Sequence, residues 1–98
     1  LSADEGRDLR LTLPLAPWEA ALGATVHTPT LAGPVDLRIP PNAKAGQKLR
    51  LKGRGLPGPT PGDQYVVLKI VLPPAATPRA RELYEQMQRE LPYDARAE

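Results

Sequence analysis

The sequence predicts a mainly β fold: a small β-sandwich-like domain with a short helix after the first strand and a C-terminal amphipathic helix. Three observations carry this prediction. Leu9, Leu11, Leu13 and Leu15 alternate with Arg10, Thr12 and Pro14, a period of two that puts the leucines on one face of a strand. Lys48, Arg50 and Lys52 alternate in the same way with Leu49 and Leu51, and Gln64 to Leu72 is almost uniformly apolar. From Ala80 through Leu83, Tyr84 and Met87 to Leu91 the apolar spacing changes to three and four, the period of a helix. The 13 prolines and 8 glycines fall between these segments, so they read as the turns of a folded chain. A chain of 98 residues suits one domain that buries about two thirds of its unfolded surface, which predicts a thin core.

In the first strand Pro14 cannot donate to a ladder and suits an edge or a strand end. Pro17 to Gly23 follows, with proline at a first helical position, glycine just past the end and good helix formers between, which predicts one to two turns of helix. Trp18 is expected to pack under this helix and help close the sandwich, with a partner-contacting role as the alternative. Ala24 to Thr30 is β-prone, and after the Ala32-Gly33 turn Val35, Leu37 and Ile39 alternate with Asp36 and Arg38, so the two segments predict a hairpin. Gln64 to Leu72 carries apolar residues in both phases and is expected to be a central strand covered on both sides. Thr77 as N-cap, Pro78 at the first position and Pro92 as a stop frame the last helix. Its polar side offers Arg81 with Glu85 and Glu85 with Arg89 as weak ion pairs.

Catalytic chemistry finds little here. Without cysteine there are no disulfides, thiolate metal sites or thiol nucleophiles, and the composition fits a reducing interior. His27 is the single histidine and Ser2 the single serine, and no carboxylate pair is framed by a recognisable motif. His27 reads as a half-exposed strand residue rather than a ligand or proton carrier. Gly53, Gly55, Gly58 and Gly62 suggest a phosphate loop at first sight, but a strand rather than a helix follows them. The expectation is a non-enzyme with no cofactor and no metal. No apolar run approaches the ~20 residues of a membrane span, so no membrane partner is expected.

Between Leu37 and Gly62 the chain carries basic residues and no acidic one, with Arg38, Lys48, Arg50, Lys52 and Arg54 as a candidate basic face. That face has three readings: a solvated strand surface, a contact for an acidic partner segment, or a contact for the DNA backbone. The formal net charge of +2 permits nucleic acid without requiring it. The helix stripe of Leu83, Tyr84, Met87 and Leu91 has two readings, a dimer interface or packing against the chain's own sheet.

Several separated blocks carry a family resemblance. Asp8 to Gly23 (DLRLTLPLAPWEAALG) is followed by Thr28-Pro29-Thr30-Leu31, Ile39-Pro40-Pro41, Gly46 to Pro57 (GQKLRLKGRGLP) and Gly62-Asp63. In this order they resemble the C-terminal domain of DnaJ-type co-chaperones, over about Asp8 to Pro74. The last helix and Leu91 to Arg96 look most like the cysteine-free, curved-DNA-binding CbpA subtype.

The resemblance implies the second of two related client-binding domains, carrying the dimerisation element at its end. It implies residues 1–7 as a linker from a preceding domain, 8–75 as the β domain, 76–92 as a dimerisation helix and 93–98 as a tail. The expected partners are unfolded protein clients, a second copy of the chain, a DnaK-type chaperone reached through the full-length protein, and DNA as the alternative. The expected location is the cytoplasm, with association with the nucleoid under the DNA alternative. Such a protein stimulates its chaperone through a J-domain with a His-Pro-Asp motif; this chain has no His-Pro and is not expected to do so by itself. Val35, Leu37, Leu49 and Leu51 are candidate client contacts because they lie on β segments that could border a groove, and the alternative role of Trp18 is a client contact.

Overall fold

The computed structural model describes residues 1–3 and 6–98. The elements run β1 (Ser2–Ala3), β2 (Leu9–Leu15), α1 (Pro17–Leu22), β3 (Ala24–Thr28), β4 (Val35–Ile39), β5 (Lys48–Leu51), β6 (Gln64–Ile70) and α2 (Pro78–Glu90), ending in a 3-10 turn at Ala95–Ala97. Two sheets form, one of four strands in the order β1-β2-β6-β5 and one of two, the β3-β4 hairpin. The domain is mainly β, as the strand periodicities predict. Ser2–Ala3, inside the stretch read as a linker, pairs antiparallel with β2.

The large sheet is organised by a pairing between distant parts of the chain. β2 and β6 run parallel, from Leu9 beside Gln64 to Leu15 beside Ile70, while β5 lies antiparallel on the other side of β6. α1, the hairpin and β5 therefore all fall within one crossover, as a parallel pair requires. Leu13 and Leu15 from β2, Val66 and Leu68 from β6, Ile39 from β4 and Ala20 from α1 form one buried cluster. Val26, Leu37, Leu49 and Leu51 pack around it, so the hairpin lies across the inner face of the large sheet and closes a two-layer core.

Backbone geometry explains where the glycines stand. Gly23 has φ +84 and ends α1, and a Cβ there would meet the Ile39 carbonyl oxygen at 3.0 Å. At Gly62 a Cβ would collide with the Arg7 backbone. This close approach is sealed by Leu56 N–H donating to the Arg7 carbonyl at 2.7 Å and Gly55 N–H donating to the Gly62 carbonyl at 2.9 Å. The glycine-rich connection is thus a backbone clasp holding the start of β2 beside the start of β6.

Three local expectations are corrected. β6 is central but covered on one side only: Val66 and Leu68 are buried, Tyr65 and Val67 are half-buried, and Lys69 and Ile70 are exposed. The reason is material, since one two-stranded hairpin and a six-residue helix suffice to cover a single face. Trp18 does not close the sandwich. Ala20 takes the inward position of α1, and two residues of helix turn about 200°, which sends Trp18 outward. On α2 the ion pair among the described residues is Arg79 with Glu82 at 3.3 Å, instead of Arg81 with Glu85 or Glu85 with Arg89.

Candidate functional site

An apolar groove lies between the two helices. α1 begins at Pro17, where the Ala16 N–H donates to the Glu19 carboxylate at 2.9 Å, and with Ala20 inward it presents Trp18 and Leu22, 58% and 77% exposed. α2 starts at the Thr77 cap, whose hydroxyl oxygen accepts from Ala80 N–H at 3.1 Å. It is held to the segment after β6 by Tyr84, whose hydroxyl donates to the Pro73 carbonyl at 2.5 Å. No residue of α2 is buried, and Leu83 and Met87 are 50% and 47% exposed. The groove of about 530 Å³ is lined by Trp18, Leu22, Pro74, Leu83, Tyr84 and Met87 among others, almost without polar surface. A second hollow takes in Tyr84, Met87, Leu91 and Tyr93 with the polar Glu85 and Gln88 between them, so apolar side chains continue along α2 to its end in a more mixed setting.

The structure brings the predicted stripe of Leu83, Tyr84, Met87 and Leu91 together on one side of α2 and adds Trp18 and Leu22 to it. The signal for that addition was in the sequence: Trp18 and Leu22 are four apart on one helical face, with Ala20 on the other. The candidate client residues lie elsewhere. Leu37, Leu49 and Leu51 are partly buried against the core, and Val35 is half-buried opposite Thr28 in the hairpin.

The candidate basic face divides. Lys48 and Arg50 point outward from β5 with Lys52 just beyond them, whereas Arg38 sits on the outer face of the hairpin, opposite Thr25. Arg54 is exposed in the glycine-rich connection. Arg50 is clamped: its guanidinium meets Asp63 at 2.6 and 2.8 Å. Asp63 also accepts from Gly53 N–H at 2.8 Å. The Gly53 N–H first, and Arg50 second, hold the Asp63 carboxyl below the usual aspartate range, and the bond to Asp63 raises the Arg50 guanidinium in turn. Lys48 Nζ stands 5.8 Å from the centre of the Tyr65 ring. His27 is an exposed strand residue, its Nδ1 2.9 Å from Asp36 across the hairpin. Among the described residues no cluster of metal-ligating side chains occurs, and no helix is long and apolar enough to cross a membrane.

Comparison with known proteins places the chain in a family. The sequence profile of the DnaJ C terminal domain matches residues 3–73, which take in β2 to β6, α1 and the glycine clasp. The chain belongs to that family. The DnaJ C terminal domain is a co-chaperone module rather than an enzyme class, and the blocks read from the sequence identify it correctly. The chain is 60% identical over 94 residues to a protein of Coxiella burnetii named "Curved DNA-binding protein", covering 96% of this chain and 30% of the relative. Identity is 46% over 96 residues to a protein of the same name in Pseudomonas putida, again covering 96% of this chain and 30% of the relative. It is 51% over 82 residues to another in Salmonella arizonae, covering 83% of this chain and 27% of the relative. The chain thus spans about 30% of the length of the first two and corresponds to their C-terminal part.

Proposed function

We propose that this DnaJ C terminal domain holds unfolded segments of other proteins and pairs with a second copy of itself, within a longer co-chaperone that delivers clients to a DnaK-type chaperone. The observation that carries the reading is the uncovered apolar surface running from Trp18 and Leu22 on α1 to Leu83 and Met87 on α2 and Leu91 just past its end. A surface of this kind in a small domain marks a partner contact. A twin stripe from a second copy gives both copies the same benefit from one self-complementary contact. Two weak client sites on one dimer then act through effective concentration, which suits an open groove better than a deep pocket.

Light scattering tests the pairing: the chain should run as a dimer, and Leu83→Asp with Met87→Asp should run as a folded monomer. A dimer that survives both substitutions would sink the pairing. Trp18 is the single tryptophan, so its emission should shift to the blue when an unfolded apolar peptide is titrated in, and an unchanged spectrum would remove the groove as a client site.

A second reading is favoured by one specific observation. Relatives that match 96% of this chain are named for binding curved DNA, and the outer surface of the large sheet carries exposed cations. Under it the domain contributes to DNA binding by the longer protein, with affinity that falls steeply with salt.

A further inference from the structure

We infer that the outer face of the four-stranded sheet docks the phosphate backbone of duplex DNA through Arg10, Lys48 and Lys69, arranged around Tyr65. This rests on the second reading above and gives it a site. The sequence places these cations far apart. The strand register collects them: Arg10 lies beside Tyr65 and Tyr65 beside Arg50, Thr12 beside Val67 and Val67 beside Lys48, with Lys69 two positions further along β6. All three cations are exposed, and among the described residues none is paired with a carboxylate. From strand spacing and rise their Cα atoms stand about 8 to 14 Å apart on one rigid surface. Among the described residues the acidic neighbours Asp8 and Asp63 lie at one end, each accepting a backbone N–H, with Asp63 also neutralising Arg50.

Several features select the occupant. An extended peptide needs a free strand edge or a pocket for its side chains. The interior of this face offers neither, because its backbone is used by the ladders and both hollows lie at α2. A single strand needs successive aromatic platforms, and this face has Tyr65 alone, half-buried with Lys48 above it. What remains is a set of spread positive charges with no element shaped to enter a groove, which is contact with phosphates and not with bases.

The test measures binding of the 98-residue chain to a labelled random-sequence duplex of about 20 base pairs, by anisotropy between about 50 and 200 mM salt. Three phosphate contacts predict a slope of log affinity on log salt near −3, and Arg10→Ala, Lys48→Ala and Lys69→Ala together should bring it close to zero. Arg38→Ala, on the other sheet, should leave it unchanged. Should the triple variant lose its fold by circular dichroism, Lys69→Glu alone should still flatten the slope by about one. Duplex binding with an unaltered slope in the folded variant overturns this face while leaving the DNA reading standing. No duplex binding by the unsubstituted chain at about 50 mM salt overturns both. Tighter binding of a single strand or of poly-glutamate overturns the duplex as the occupant.

Discussion

Val66 and Leu68 on β6 are 0% and 2% exposed, whereas Leu83 and Met87 on α2 stand half exposed, although both pairs lie on apolar faces of equal regularity. β6 is flanked by β2 and β5, and the hairpin lies over its inner side. α2 is tied to the segment after β6 by the Tyr84 hydroxyl on the Pro73 carbonyl, and none of its residues is fully buried. An apolar period marks a face that is to be covered; what covers it depends on how much chain is left to do so. With one hairpin and one six-residue helix available, this domain covers the inner side of its large sheet and leaves the apolar side of α2 exposed.

The contrast can be broken most directly in the core. Leu68→Ala should cost about 2–5 kcal/mol in urea unfolding, through lost burial and the cavity left behind. Leu83→Ala, measured at high dilution where pairing is absent, should stay within about 0.5 kcal/mol. Equal costs would mean that the chain covers its own α2 stripe, and the proposed pairing would fall with the contrast. Gly62→Ala should come next, at about 1–3 kcal/mol, because the added methyl meets the Arg7 backbone rather than a side chain that can swing away. A near-neutral result would show that the clasp can open without loosening β2 from β6. Thr77→Ala should cost about 1 kcal/mol and fray the start of α2, seen as a loss of helical signal with the sheet intact.

The smallest effect concerns acid. Asp63 is held below the ordinary aspartate value, so the folded form releases its proton more readily than the unfolded chain does. Its contribution is fully present above the unfolded value of about 3.9 and is lost as pH falls below that towards the folded value. The stability gap between the native chain and Asp63→Asn should therefore be constant near neutrality and narrow only in that acid window. A gap that narrows above about pH 5 would contradict the clamp between Gly53, Asp63 and Arg50.

Much of the fold was legible residue by residue. The leucines of β2 alternate because a strand's side chains alternate, and α2 begins at Thr77 and Pro78 because cap chemistry is local. The glycines of the clasp were legible as turn positions, but the partner that requires Gly62, the Arg7 backbone, lies more than fifty residues away. At the candidate site Leu83, Tyr84, Met87 and Leu91 were legible from helical spacing. The inward position of α1 was not legible, because in so short a helix only the contact with the sheet decides that Ala20 and not Trp18 takes it. Arg38 is near Lys48 and Arg50 in sequence, yet it lies on the hairpin and they lie on β5, so the two sheets put them on different surfaces.

By itself the sequence determined the family, the strand and helix periods, the caps, and the absence of a framed catalytic motif. These follow from local geometry and from residue chemistry that neighbours cannot change. Only the tertiary structure decided which strands lie side by side, and so which cations share a surface with Arg10 and which apolar residues join Leu83 and Met87. Those relations come from contacts between distant segments, the parallel pairing of β2 with β6 above all, and no local period encodes the partner of a strand.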